Sequence, residues 1–87
     1  MKTIIFDSKS AMWYHDWEYN MMFIKMQIQH LKDTCKYRGY LYLNEVYESF
    51  GVAWDPDEEN ICYKQTSGSI TFEVEPSGDK TYLIHIS

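Results

Sequence analysis

The stretch Arg38–Gly51, RGYLYLNEVYESFG, shows how the middle of the chain folds. Asn44 is a residue type that caps helices, because its side-chain oxygen accepts a hydrogen bond from a backbone N–H of the first turn. Glu45 would lie near the positive end of such a helix, where negative charge is stabilised. Gly51 suits the end of the helix, because glycine adopts a positive φ at little cost. The stretch predicts a short helix over residues 45–50, and none of its residues has the setting of a catalyst.

The same stretch carries the pattern GY-x-x-LNEVYE-x-x-G, whose most specific positions are Leu43, Asn44, Glu45, Val46, Tyr47, Glu48 and Gly51. In this pattern, and over Gln27–Val74, the chain resembles small uncharacterised proteins encoded by tailed phages and prophages of Firmicutes. The resemblance implies a helix before the pattern, a β-hairpin after it and a phage origin. It also implies that the protein works in the cytoplasm of an infected or lysogenic bacterial cell. The chain departs from these relatives after the pattern, because they often carry a Gly-Trp step where residues 61–64 read ICYK.

A long amphipathic helix is predicted ahead of this stretch. Apolar residues recur there at spacings of three and four, which places them on one helix face. We expect the helix to run from Ala11 or Met12 to Lys36, with Ser10 as its cap and Ile28 in the middle of its buried face. Methionines on such a face are more typical of a core than of an adaptable binding surface. The predicted buried stripe consists of Trp17, Met21, Ile24, Ile28, Leu31 and Cys35.

Short alternating segments predict strands around these helices. Lys2–Phe6 has the β-branched composition of an edge strand, and residues 61–65, 70–75 and 82–87 have the alternation of strands with one buried face. Pro76 to Asp79 is a turn sequence, so the last two strands should form a hairpin. Residues 37–42 are interpreted as a linker. The predicted fold is α+β, with one long and one short helix packed on a small antiparallel sheet in two layers, as a single domain over residues 1–87.

Charge is distributed unevenly along the chain. The 87 residues carry a net charge of −5, with +2 in residues 1–44 and −7 in residues 45–87. An acidic half is repelled by phosphate backbones, so direct binding of nucleic acid is not expected. Neither a signal sequence nor an apolar run of membrane-spanning length is present, which predicts a cytoplasmic protein without a membrane partner. The acidic half suits a partner protein with a basic surface.

No motif in the sequence predicts catalysis, a metal or a cofactor. Cys35 and Cys62 are isolated and are expected to be buried free thiols, since zinc sites use closely spaced pairs. The acidic segment around Asp57 lacks the glycine and the final glutamate of a calcium loop. Cys35 and His30 are five residues apart, a spacing that turns them to different helix faces. We therefore predict that the protein is not an enzyme.

An interaction protein is the function class that remains. The resemblance to phage proteins implies a small protein that binds host machinery, such as an anti-CRISPR-like inhibitor of a defence nuclease. Two alternatives stay open: a phage accessory or assembly protein that self-associates as a homo-oligomer, and a small nucleic-acid accessory factor. A loop that combines a tryptophan with carboxylates would supply an anchor and steering charge for a basic partner. The predicted partner-binding residues are Trp54, Asp55, Asp57, Glu58 and Glu59.

Overall fold

Two helices and two small antiparallel sheets make up the chain in the computed structural model, which describes residues 2–54, 56–58, 61–68, 70–78 and 81–87. The predicted α+β fold, with one long and one short helix on a small antiparallel sheet, is confirmed. Short 3₁₀ turns cover Pro56–Glu58 and Gln65–Ser67. The elements in chain order are β1 (Lys2–Phe6), α1 (Trp17–Arg38), β2 (Tyr40–Tyr42), α2 (Leu43–Ser49), β3 (Cys62–Lys64), β4 (Phe72–Pro76) and β5 (Tyr82–Ile86).

The larger sheet has the strand order β1-β5-β4, and both of its pairings are antiparallel. β4 and β5 form the predicted hairpin, and β1 lies at an edge as predicted. Alternate side chains of the central strand, at Tyr82, Ile84 and Ile86, are buried, as are Ile4 and Phe6 of β1. This alternation follows from the period of two in a strand, which sends every second side chain into the core.

The prediction of a linker over residues 37–42 is wrong. Tyr37 belongs to the last turn of α1, and Tyr40–Tyr42 is a strand that pairs antiparallel with β3 in a separate two-stranded sheet. Leu41 is buried, and the tyrosines on either side of it are exposed. Three residues are too few for an alternation to be recognised in sequence, and the partner strand lies about twenty residues further along the chain.

α1 begins later than predicted, at Trp17. Asp16 is its cap and accepts hydrogen bonds from the backbone N–H groups of Glu18 and Tyr19, at 3.0 and 3.2 Å. Ser10 caps nothing. Its hydroxyl donates to the carbonyl oxygen of Phe50, at the end of α2, and accepts from the N–H of Met12. The segment before α1 is therefore held by contacts with distant residues instead of continuing the helix.

The buried face of α1 is rotated relative to the predicted stripe. Ile24, Leu31 and Cys35 are buried as predicted, whereas Ile28 is only half-buried and Trp17 is 42% exposed. A polar residue, Asn20, takes a place on the buried face. Its amide group accepts from the N–H and donates to the carbonyl oxygen of Tyr14, at 3.0 and 2.7 Å. Because both ends of this amide are hydrogen-bonded, its burial is tolerated.

α2 covers Leu43–Ser49 and does not use Asn44 as its cap, contrary to the prediction. The N-cap position is Tyr42, whose backbone N–H donates to the carboxylate of Glu45 at 2.9 Å. Gly51 has a φ of 66°, as predicted. A Cβ atom at Gly51 would lie 2.7 Å from Cγ of Met12. The glycine therefore serves both the positive φ and the close approach of the segment before α1.

An aromatic cluster joins the helices to the larger sheet. Phe6 of β1 packs against Phe50 and Phe23, with ring centroids 6.2 and 5.8 Å apart, and against Trp13 at 5.3 Å. Tyr82 of β5 stacks on Trp17 with centroids 4.1 Å apart, and its hydroxyl donates to the carbonyl oxygen of Trp17. These contacts fix the start of α1 over the centre of the sheet.

Candidate protein-interaction surface

The predicted binding residues lie in the loop between α2 and β3, which we call the acidic loop (residues 54–58). Trp54 is half-buried and packs against the hydrophobic core. Asp57 is exposed within the 3₁₀ turn, and Glu58 is half-buried. Asp55 and Glu59 lie outside the described residues. Among the described residues of the loop, Asp57 thus presents an exposed carboxylate three residues after Trp54, whose side chain is partly in the core.

Glu58 ties the acidic loop to two distant elements. One of its carboxylate oxygens accepts from Nζ of Lys2 on β1 at 2.8 Å, and the other accepts from the hydroxyl of Tyr47 on α2 at 2.9 Å. These hydrogen bonds, first the one from Lys2, lower the pKa of the Glu58 carboxyl from its ordinary value. Glu58 thus fixes the loop, a role that sequence reasoning did not assign to it.

The tyrosines at the end of α1 form a second exposed surface. Tyr37 is 95% exposed, and the rings of Tyr40 and Tyr42 meet edge to face with centroids 5.6 Å apart. The guanidinium of Arg38 lies 4.3 Å from the ring centroid of Tyr40 and pairs with the carboxylate of Glu45 at 2.5 Å. Because Arg38 is already neutralised by an acid, the basic patch at this end of α1 is weaker than the sequence indicates.

A third surface, which sequence reasoning assigned to the core, runs along the N-terminal half of α1. We call it the α1 face. Met22 and Met26 are exposed, and Met21 is half-buried beside the partly exposed Trp17. An open groove of about 570 Å³ follows these side chains. The α1 face comprises Trp17, Glu18, Met21, Met22, Lys25, Met26 and Gln29.

A row of polar side chains crosses the outer face of the larger sheet. The hydroxyl of Thr3 lies 2.9 Å from Nδ1 of His85, and Nε2 of His85 lies 3.0 Å from the carboxylate of Glu75. Hydroxyl, imidazole and carboxylate in series have the order of a nucleophile, a base and its orienting acid. The Glu75 side chain is 63% exposed, so water screens the pair. The row is best explained as a tie across the three strands.

The thiols of Cys35 and Cys62 both lie near one backbone carbonyl group. Cys35 is buried and Cys62 is half-buried, so the predicted burial holds fully only for Cys35, and both are free. Each sulfur lies within 4 Å of the carbonyl oxygen of Tyr63, at 3.8 and 3.9 Å. Burial, and then the neighbouring Cys62, raises the pKa of the Cys35 thiol. In the described part of the chain, no three His, Cys, Asp or Glu residues cluster closely enough to hold a metal ion.

Comparison of the whole chain with known proteins finds one family. Residues 1–84 match the profile of a family described as a family of unknown function (DUF6353). The chain belongs to this family. The match to DUF6353 includes the acidic loop, the α1 face and the pattern GY-x-x-LNEVYE-x-x-G. No curated protein and no solved structure matches the chain.

Over the residues that the structure describes, neither α1 nor α2 combines the length and the apolar character that crossing a membrane requires. The 22 residues of α1 include exposed charged side chains such as Lys25 and Lys32.

Proposed function

We propose that this DUF6353 protein acts by binding another protein with a basic surface, and that the acidic loop is part of the contact. Glu58 supports this proposal most directly, because it holds the loop in one conformation. Its bonds to Lys2 and Tyr47 fix the turn that exposes Asp57. A loop that is ordered before binding loses less conformational entropy when a partner arrives.

The charge of the chain supports the same class of partner. Residues 45–87 have a net charge of −7, and Asp57 of the acidic loop is among the carboxylates exposed in this half. Complementary charge speeds the encounter with a basic surface and disfavours other acidic partners. The half-buried Trp54 adds an aromatic contact that is already held by the core, as binding anchors commonly are.

More specifically, the protein is proposed to be an inhibitor that a phage encodes. Enzymes that bind nucleic acid present basic grooves, and a small acidic protein can occupy such a groove. On this proposal the protein blocks a host defence nuclease in the cytoplasm, in the manner of an anti-CRISPR protein. The warrant for the phage origin is the resemblance in the pattern from Gly39 to Gly51.

A comparative pull-down tests the proposal. The wild-type protein and the Asp57→Lys variant are immobilised, and proteins captured from a lysate of a Firmicutes bacterium are identified by mass spectrometry. We expect the wild type to capture a nucleic-acid enzyme with a basic surface and Asp57→Lys to capture less of it. Association rates with the purified partner should differ most at low ionic strength, where screening is weakest.

Glu73→Lys is the matched control. Glu73 is an exposed acid on the outer face of β4, so its reversal changes the net charge by the same amount as Asp57→Lys. It should leave capture and association rate much closer to those of the wild type. Equal association rates for the wild type and Asp57→Lys at every ionic strength would remove the acidic loop from the contact. Capture of no basic protein would contradict the proposed function itself.

A further inference from the structure

The α1 face exposes apolar side chains to water, and this exposure does not stabilise a monomer. Trp17 is 42% exposed, Met22 is 55% exposed and Met26 is 62% exposed, and all three border one groove. Contiguous apolar surface of this kind marks a contact with another macromolecule. Methionine side chains are unbranched and polarisable, so they adapt well to an opposing helix. The α1 face therefore has the composition of a docking surface, and its charges bear on which partner suits it.

Glu18 and Lys25 are placed symmetrically about a point near the middle of the α1 face, as are Trp17 and Met26. The midpoint between Met21 and Met22 is equally far from both in sequence. When two copies of α1 lie antiparallel about a two-fold axis at this midpoint, Glu18 of each copy falls opposite Lys25 of the other. A parallel pair would set Glu18 against Glu18 and Lys25 against Lys25. The charge pattern is thus complementary to itself in the antiparallel arrangement.

Both charges are available for such a contact. Neither side chain takes part in an ion pair with any of the described residues, whose ion pairs involve Lys2, Arg38 and His85. At the far end of the α1 face, Gln29 donates to Asp33 at 2.9 Å, so a polar contact borders the apolar surface. This is the usual composition of an interface, with an apolar centre and a polar rim.

We propose that two copies of this chain pair through their α1 faces, antiparallel, to form a homodimer. Met21 and Met22 of each copy lie at the two-fold axis, and a Glu18–Lys25 pair lies on each side of it. The α1 face spans little more than half of one helix, so two such faces bury no more than the lower end of the roughly 1,200–2,000 Å² that is typical of specific interfaces. The dimer therefore dissociates on dilution. This inference goes beyond the proposed function, because it concerns a different surface and a different occupant.

Sedimentation equilibrium of the full chain, from micromolar to millimolar concentration, tests the dimer. We expect the wild type to show a monomer–dimer equilibrium. Glu18→Lys and Lys25→Glu each set like charges opposite one another, so each should raise the dissociation constant on the order of tenfold. The double variant Glu18→Lys with Lys25→Glu restores opposite charges and should recover most of the lost affinity. The double variant keeps the lysine at position 18, so any weakening of the first helical turn remains in it. Its recovery would therefore come from the restored charge pairing.

A second pair of variants tests the apolar part of the contact. Met22→Gln removes an apolar side chain at the axis and should abolish the dimer in this concentration range. Ile5→Thr is the control, because Ile5 is equally exposed, at 55%, but lies on β1 outside the α1 face. A wild type that stays monomeric throughout would overturn the proposal and leave the α1 face to a different partner. A dimer that is unaffected by the single charge reversals, or not recovered in the double variant, would overturn the antiparallel arrangement.

Discussion

Asp16 and Asn44 both have the side-chain chemistry of a helix cap, and they occupy different positions relative to their helices. Asp16 precedes α1 and accepts two backbone hydrogen bonds from its first turn. Asn44 is already inside the first turn of α2, and its Oδ1 is buried without a hydrogen-bond partner among the described residues. A cap must stand just before the helix, with its oxygen facing the N–H groups. Only Asp16 meets this condition.

The two residues should therefore differ when each is replaced by alanine. Asp16→Ala removes an acceptor of two N–H groups and should lower the free energy of unfolding by about 1 kcal/mol. Asn44→Ala removes an oxygen that makes no bond and should change it by less than about 0.5 kcal/mol. Thermal or denaturant unfolding measures both. Equal losses of unfolding free energy for the two variants would mean that the Asn44 side chain makes a stabilising hydrogen bond that the structure does not show.

The two thiols should differ in reactivity although they share an acceptor. The thiolate is the reactive form, and burial raises the pKa of Cys35, so less of it is ionised at a given pH. Cys62 is half-buried and more accessible to a reagent. We expect iodoacetamide to label Cys62 first in the folded protein, with peptide mass mapping as the readout. If Cys35 is labelled as fast as Cys62, α1 must open from the core more readily than its burial indicates.

At the scale of the element, α1 has two sides with different tasks. Ile24, Leu31 and Cys35 face the core, while Met22 and Met26 face outward. The predicted stripe included the buried Ile24, Leu31 and Cys35, but it missed the buried Asn20 and included the exposed Trp17. Spacing alone shows that a helix is amphipathic, and a helix with methionine and tryptophan on several sides has no sharp boundary between its faces.

Substitutions along α1 test this assignment of faces. Ile24→Ala empties a fully buried site and should cost about 2–5 kcal/mol of unfolding free energy. Ile28→Ala should cost clearly less, because Ile28 is only half-buried, and Gln29→Ala should cost least. Chemical denaturation of the three variants provides the comparison. A loss for Ile28→Ala that equals that for Ile24→Ala would restore the predicted stripe.

At the scale of the whole molecule, two glutamates connect parts of the chain that are distant in sequence or belong to different elements. Glu58 joins the acidic loop to β1 and α2, and Glu45 of α2 pairs with Arg38 of α1. Hydrogen bonding to Arg38 lowers the pKa of the Glu45 carboxyl, as bonding to Lys2 does for Glu58. Both carboxyls therefore release their protons more readily in the folded state than in the unfolded chain.

This linkage predicts a loss of stability in acid. A carboxyl with a lowered pKa in the folded state stabilises fully above its unfolded value, near the ordinary 4.5, and loses this contribution as the pH falls through the folded value. The unfolding free energy should thus decline as the pH is lowered below about 4.5. Glu58→Gln and Glu45→Gln should each flatten this decline in denaturant titrations at several pH values. Variants that keep the wild-type slope would show that these pairs do not set the acid response.

The candidate surfaces show how far sequence reasoning reaches for function. It located the acidic loop from composition, but it assigned Glu58, like Asp57, to partner binding, and did not foresee that Glu58 holds the loop in place. The lysine and the tyrosine that hold Glu58 come from residues 2 and 47, and no local pattern links these positions. The α1 face was missed for a different reason. Exposure of Met22 and Met26 depends on which side of the helix the sheet covers, and the spacing of apolar residues does not fix that side when methionine and tryptophan lie on several sides of the helix.

The amino-acid sequence by itself determined the α+β class, the β4–β5 hairpin and the positive φ of Gly51. Each of these depends on interactions within a short segment, namely alternation, turn chemistry and the conformational freedom of glycine. Only the tertiary structure decided where α1 begins, that β2 pairs with β3, and that Glu58 fixes the loop. These features depend on partners far away in the chain, which local patterns do not identify, because a hydrogen bond or a buried contact can override local propensity.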